Sequence, residues 1–256
     1  MEAVLPAVGQ LGLFWLVLAR AGGIFAVAPL LSAGNVPMPL RAALSVLVSV
    51  AALPAAHAPS GGVPQQLLPF AGLAVREVAV GLVIGLVARI VFFAAELAGG
   101  LCDVQVGLTL AAVADPLYGE AASVLGNWLN LLATLAFLAA GGLELLVAAV
   151  AVSLRHLPLG APAFWGGGAH TLVAALGWSF TTAVAIAAPV LAVGVVLNVF
   201  LGFIGRAMPQ LNLLQLALPA QVLVALGVLL FAMPLVVGAF SHLVPETGRW
   251  LGRLWG

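Results

Sequence analysis

Between Arg155 and Glu246 the chain holds a single formally charged residue, Arg206. A run of this kind does not belong to an ordinary solvated domain, in which about 25% of residues are charged. The rest of the chain follows the same pattern, since only 6% of its residues are charged and 64% are hydrophobic. We therefore predict a membrane protein.

The only charge in this run lies in a polar stretch that prolines interrupt, NVFLGFIGRAMPQLNLLQLALPAQ at residues 198–221. An arginine at the centre of a bilayer costs about 2.5–3.5 kcal/mol on insertion scales. We therefore expect Arg206 to lie in a turn near an interface, to pair with another group, or to face protein or water.

Six long apolar segments predict an all-α membrane-associated fold. They cover about residues 4–31, 39–56, 67–99, 124–154, 171–199 and 213–240. An even number of segments places both termini on one side, and the positive-inside rule favours a cytoplasmic C-terminus. That side carries three arginines against two, namely Arg155, Arg249 and Arg253 against Arg41 and Arg206. Because charges and prolines interrupt several segments, the number of segments is an upper bound on the number of bilayer crossings.

Charged residues interrupt the third segment, where Arg89, Glu96 and Asp103 follow each other at intervals of seven. This spacing places them on one helical face, and a lipid-facing strip of charge would be costly. We expect the strip to face other protein or an aqueous path. The same segment contains Gly81-x-x-x-Gly85, a spacing that lets another helix backbone approach closely.

The apolar pattern fails over residues 103–123, DVQVGLTLAAVADPLYGEAAS. The apolar part, residues 108–114, is too short to span a bilayer as a helix and too apolar for an ordinary solvated loop. Irregular backbone at membrane depth is tolerated where it packs on protein or lines a cavity. We therefore predict a re-entrant or buried loop.

The residues that could carry catalysis form no recognisable set. The four histidines lack metal-ligand spacing, and no serine lies in a G-x-S-x-G context. We expect no catalytic residue, no metal and no cofactor. Zero net charge predicts no surface for nucleic acid. A small-solute or ion transporter stays an alternative, because intramembrane ionisable groups mark such paths, although no inverted repeat of broken helices is evident. A membrane enzyme is the third class.

Three stretches together carry a resemblance to a known family. They are LVLARAGGIFAVAPLLSAGNVPMPLRAALS at 16–45, GLTLAAVADP at 107–116 and GFIGRAMPQLN at 202–212. In this order and at this chain length they resemble the FliR family of flagellar type III export proteins, whose injectisome relatives form the SctT family.

The resemblance implies a non-enzymatic subunit of a protein export gate in the bacterial inner membrane, at the flagellar basal body. Such chains form helical hairpins that assemble with FliP-like and FliQ-like subunits into a closed pore for unfolded proteins. A FlhB-like subunit surrounds the entrance, and a FlhA-like subunit belongs to the same apparatus. The implied organisation is one domain, 1–256, with N-terminal hairpins at 1–101, a plug loop region at 102–122 and C-terminal hairpins at 123–256. The resemblance favours a flagellar role over an injectisome role.

The resemblance also implies roles for particular residues. The plug would comprise Gly107, Leu108, Leu110, Val113, Asp115 and Pro116, although family plugs often carry Phe at the positions of Leu110 and Val113. The turn between the last two helices, which would dock a neighbouring subunit, comprises Arg206, Pro209, Gln210, Asn212, Asn198 and Gln215. Subunit contacts or charge pairs are expected for Arg41, Arg76, Glu77, Arg89, Glu96 and Asp103.

Overall fold

The structure, a computed structural model, describes residues 4–29, 36–59, 62–64, 66–108, 123–161, 168–208 and 213–255. For residues 4–9 and 213–216 it describes the backbone alone. In these ranges every regular element is a helix, which confirms the predicted all-α fold class.

The helices follow each other as α1 (Val4–Val27), α2 (Met38–Ala52) with a 3₁₀ turn (Leu53–Ala55), α3 (Leu67–Val106), α4 (Val124–Ala139), α5 (Gly142–His156), α6 (Gly168–Ala207), α7 (Leu213–Phe231), α8 (Met233–Ser241) and α9 (Leu243–Arg253). Among the described residues, four helices are long and apolar enough to cross a membrane, namely α1, α2 with its 3₁₀ turn, α3 and α6. Two bent pairs of helices, α4 with α5 and α7 with the helices after it, raise the number of possible spans to six if each pair counts as one. The upper figure matches the six apolar segments that the sequence predicts.

Two of those segments are not single helices. The segment predicted at 124–154 breaks between α4 and α5, where Gly141 has φ +82°. Glycine adopts this left-handed conformation without the steric cost that a Cβ imposes. The segment predicted at 213–240 breaks after Phe231, and α8 then begins with Pro234 in its first turn. Proline fits the start of a helix because its missing N–H is not needed there.

Two other segments are longer than predicted. Helix α3 continues to Val106 instead of ending near residue 99, and α6 continues to Ala207 instead of ending near residue 199. Hydropathy alone ends a segment at its polar residues. A helix continues through such residues when they have partners or lie exposed, as Asp103 and Arg206 do here.

The described chain divides into two compact units. Unit 1 contains Met1–Val91, Ala140–Ala175 and Val244–Gly256, and unit 2 contains Phe92–Ala139 and Leu176–Leu243. Each is treated separately below. The division at 101 and 122 that the resemblance implies stays a prediction.

In unit 1 the backbones of α1 and α3 touch at glycines. A Cβ added to Gly23 would lie 2.5 Å from the carbonyl oxygen of Val78, and one added to Gly85 would lie 2.5 Å from that of Ile24. A Cβ on Gly81 would overlap the carbonyl oxygen of Arg20. The Gly81-x-x-x-Gly85 spacing therefore does what the sequence predicted, because it lets two helix backbones approach closely.

In unit 2 the core lies among α3, α4, α6 and α7. It consists of the buried residues Cys102, Val106, Leu125, Ala187, Val190, Ala225 and Leu229. Phe92 and Phe137 extend it with an edge-to-face contact whose ring centroids are 5.0 Å apart. This core holds the C-terminal end of α3 against the start of α4, which are the two ends of the predicted plug region.

Candidate functional sites in the two units

A fully buried ion pair lies in unit 1. Arg20 of α1 is 0% exposed and Glu77 of α3 is 1% exposed. The Nε and Nη2 atoms of Arg20 donate to Oε2 of Glu77 at 2.8 and 2.5 Å. Both hydrogen bonds end on the same carboxylate oxygen, and both are charge-assisted, the class that is shorter and stronger than hydrogen bonds between neutral groups.

The same pair also binds the end of α5. Nη1 of Arg20 donates to the carbonyl oxygens of Ser153 at 3.0 Å and Leu157 at 2.8 Å. The last carbonyls of a helix have no partner within the helix, and a positive charge at this end is favourable for the helix dipole. Oε1 of Glu77 accepts from the backbone N–H of Gly160 at 3.2 Å. One ion pair therefore joins α1, α3, the C-terminus of α5 and the turn that follows it. We call this set of contacts the Arg20–Glu77 clasp.

Sequence reasoning placed Glu77 among the charges with partners but did not name Arg20. Their pairing could have been suspected because the two residues carry opposite charges, and each lies inside an apolar segment where an isolated charge is costly. Because 57 residues separate them, no local sequence pattern reveals this pair.

The other charged residues predicted to make subunit contacts or charge pairs differ in burial. Asp103 is described below, Arg41 and Arg76 are half-buried, and Arg89 and Glu96 are exposed. Their proposed subunit contacts stay predictions.

A second buried acid lies in unit 2, at the C-terminal end of α3. Asp103 is 1% exposed and accepts a hydrogen bond from the Oγ of Ser123. Both carboxylate oxygens also lie 3.2 Å from the backbone N–H of Leu125, which donates to them. Ser123 Oγ in turn accepts from the backbone N–H of Gly126 at 2.9 Å, so Ser123 acts as the N-cap of α4. The first turn of α4 is thus tied to the last turn of α3.

The predicted plug begins directly after this contact. Gly107 ends α3 with φ +80°, and its N–H donates to the carbonyl oxygen of Val104 at 3.2 Å. Leu108 is partly buried and packs against the core of unit 2. The remaining predicted plug residues, Leu110, Val113, Asp115 and Pro116, lie outside the described residues.

The predicted assembly turn begins at the end of α6. Arg206 lies in the last turn of this helix and is exposed, a position favourable for the helix dipole. Oδ1 of Asn198 accepts from Nε2 of Gln221 at 2.6 Å, which links α6 to α7 near the turn. The other predicted residues of this site, Pro209, Gln210 and Asn212, lie outside the described residues, as does the side chain of Gln215.

Helix α6 presents a long apolar surface. It has 40 residues, and only 17% of its most apolar 18-residue stretch is buried within the chain. Its exposed large side chains include Phe180 at 56%, Val196 at 70%, Phe200 at 59% and Phe203 at 70%. The chain therefore leaves this helix to be covered by lipid or by another protein.

Neither buried acid belongs to a recognisable metal site, since no group of three His, Cys, Asp or Glu side chains suits a metal ion in the described part of the chain. Each carboxylate instead has hydrogen-bond donors around it, Arg20 and Gly160 for Glu77 and Ser123 and Leu125 for Asp103. These arrangements can join helices.

The sequence was compared with protein families and with known proteins. The model of the family named bacterial export proteins, family 1, matches residues 11–247. Flagellar biosynthetic protein FliR of Escherichia coli (strain K12) is 27% identical over 236 residues, which cover 92% of this chain and 90% of that protein. FliR of Bacillus subtilis (strain 168) is 28% identical over 228 residues, covering 87% and 86%.

A relative named for a different system matches almost as well. Surface presentation of antigens protein SpaR of Salmonella typhimurium (strain LT2) is 28% identical over 231 residues, covering 89% of this chain and 82% of that protein. A family model that matches residues 11–247, together with relatives whose alignments cover most of both chains, confirms the resemblance seen in the sequence. The chain belongs to the bacterial export proteins of family 1, the FliR family of the type III export gate.

Proposed function

We propose that this chain is a non-enzymatic subunit of the flagellar type III protein export gate, where it assembles with FliP-like and FliQ-like subunits into a gated pore. A FlhB-like subunit and a FlhA-like subunit complete the surroundings of the pore, and unfolded flagellar proteins pass through it. The gate lies in the bacterial inner membrane at the flagellar basal body, with the C-terminus of this chain in the cytoplasm.

The observation that carries this proposal is the length of α6 together with its exposure. Forty residues form a helix about 60 Å long, since each residue adds about 1.5 Å. The hydrocarbon core of a bilayer is about 30 Å thick. Fitting the whole helix into it would need a tilt of about 60°, beyond the range of about 0–40° found for membrane helices.

Part of α6 must therefore lie outside the hydrocarbon, and its apolar side chains must be covered there. Phe200 and Phe203, near its C-terminal end, are 59% and 70% exposed. Exposed apolar surface of this extent, on a helix too long for the bilayer, needs protein partners. A gate built from several helical subunits supplies them, whereas a transporter that works alone does not.

The plug proposal concerns residues 107–116. In this proposal the loop blocks the pore at rest, so that ions and small solutes do not leak across the membrane. It is supported by the apolar composition of 108–114, by the burial of Gly107, and by the packing of the partly buried Leu108 against the core of unit 2. Leu110 and Val113 are smaller than the Phe that family plugs often carry, so partner side chains must complete the seal.

Native mass spectrometry of a tagged full-length chain, purified from its own cells in mild detergent, tests the assembly. The expected result is one large particle that contains several copies of two small apolar helical subunits. A stable monomer or homodimer, free of partners and active in liposomes, would contradict the gate and favour the transporter.

A deletion strain tests the flagellar assignment. Loss of flagellar filaments and motility, restored by the wild-type gene, is the expected result. Normal filaments with a loss of injectisome secretion would assign the chain to that system instead, as the similarity to SpaR allows.

A further inference from the structure

The buried carboxylate of Asp103 has a location that the family assignment does not explain. We propose that Asp103 is a positioning residue of the gate. Its carboxylate joins the last turn of α3 to the first turn of α4, and it thereby holds together the two ends of the segment 108–122. This inference rests on the proposed function, because it gives that segment a fixed base.

The first argument is the order of the hydrogen bonds. Ser123 Oγ donates to Asp103 and accepts from the N–H of Gly126 at 2.9 Å, while the N–H of Leu125 donates to the carboxylate at 3.2 Å. A negative charge near the N-terminus of α4 is favourable for the helix dipole. Asp103 therefore determines both where α4 begins and against which turn of α3 it begins.

The second argument is the backbone contact beside the carboxylate. Gly99, one helical turn before Asp103, lies so close to Gly126 that a Cβ on Gly99 would overlap the backbone of α4. The backbone carbonyl oxygen of Glu96 lies 3.2 Å from the position of a Cβ on Gly126. Because protein interiors are close-packed, the two helices cannot slide at this point without losing both the glycine contact and the hydrogen bonds.

The test compares variants of the full-length chain, expressed with its partner subunits in its own cells. Asp103→Leu removes the acceptor, Asp103→Asn keeps one acceptor oxygen, Ser123→Ala removes the bridging hydroxyl and Ser123→Thr retains it. Glu144→Gln removes an exposed acid on α5 and serves as the control. Two quantities are measured for each, namely the amount of assembled complex and the resting uptake of a small membrane-impermeant dye per complex.

We expect Asp103→Leu to raise resting uptake towards the level of a chain that lacks residues 108–114, while the complex still assembles. Asp103→Asn and Ser123→Ala should raise uptake less, and Ser123→Thr and Glu144→Gln should leave it unchanged. The double variant Asp103→Leu/Ser123→Ala should leak no more than Asp103→Leu alone, because both changes remove the same contact.

The outcomes separate this inference from the proposed function. If the chain without residues 108–114 assembles and does not leak, the plug itself is wrong. If that chain leaks but assembled Asp103→Leu does not, the plug stands and the positioning role is overturned. If even Asp103→Asn and Ser123→Ala fail to assemble, the carboxylate is a folding residue, and the positioning role is again overturned.

Discussion

Replacing Arg20 with methionine removes the cation of the Arg20–Glu77 clasp while retaining an apolar side chain of similar length. Glu77, at 1% exposure, would then be a buried carboxylate without its cation. The carbonyl oxygens of Ser153 and Leu157 would lose donors that now lie at 3.0 and 2.8 Å. The change therefore affects three elements of unit 1 at once.

The size of the effect follows from these contacts. Removing one partner of a buried ion pair costs about 3–5 kcal/mol, and a buried acceptor that loses its donor costs about 1–3 kcal/mol. The carbonyl oxygen of Ser153 keeps a second donor, the N–H of Leu157 at 2.8 Å, so mainly the acceptor at Leu157 is left without a donor. The sum of the two contributions is an upper bound, and we expect Arg20→Met to lower the free energy of unfolding by at most about 4–8 kcal/mol. That approaches the whole stability of an ordinary domain, about 5–15 kcal/mol.

The assay is the amount of full-length chain in purified complex at constant expression, followed by the Tm of whatever complex is recovered. Arg20→Met should be nearly absent. Arg249→Met is the matched control, because it breaks the Arg249–Glu246 pair in which the arginine side chain is 59% exposed. Exposed pairs of this kind contribute about 0.2–1 kcal/mol. Replacing both partners, as Arg20→Met/Glu77→Leu, should recover part of the loss because no lone charge stays buried.

The reasoning would be refuted if Arg20→Met accumulated as well as Arg249→Met and had the same Tm. The ion pair would then contribute no more than a surface contact. A double variant less stable than Arg20→Met alone would refute the explanation by a lone buried charge.

Three further predictions concern other described sites. Gly99→Ala should destabilise the chain, because its Cβ would overlap Gly126, whereas Gly100→Ala should be tolerated, because its Cβ would meet no neighbouring atom within 4 Å; equal Tm values for the two would contradict the close helix contact. Arg206→Ala should reduce recovery of the multi-subunit complex and motility, since the exposed arginine is proposed to dock a neighbour, and unchanged assembly and swimming would argue against that role. Deletion of residues 108–114 should increase resting dye uptake while the complex persists, and an assembled, tight deletion variant would remove the basis of the plug.

The helical architecture could be predicted from the sequence, because the patterns that indicate helices lie within short stretches of the chain. Long charge-poor runs predict apolar helices, and the Gly81-x-x-x-Gly85 spacing indicated a backbone contact that the structure contains. The breaks inside two segments were harder to see. Gly141, which has the left-handed conformation, is followed by Gly142, and such a pair is a turn signal. The pairs Gly22-Gly23 and Gly99-Gly100 lie inside helices of the same chain, however, so the pair alone does not identify the break.

The contacts between distant residues could not be predicted in the same way. The sequence singled out Asp103 as a charge that a subunit contact or a charge pair would satisfy, whereas its hydrogen-bond donors belong to residues 20 and 22 positions later in the chain. Ser123 resembles any serine before an apolar run, and its role as an N-cap becomes specific only when a carboxylate lies beside it. Such contacts depend on the packing of helices, which no periodicity within one helix reveals.

The Arg20–Glu77 clasp has a consequence for the order in which the chain is made. Arg20 leaves the ribosome 57 residues before Glu77 and 137 residues before Leu157. At about 5–20 residues per second, the carboxylate follows after about 3–11 s and the last carbonyl after about 7–27 s. During that interval the first apolar segment carries a charge without its final partners. The final packing of α1 against its neighbours therefore has to wait until α5 and the turn after it have been made.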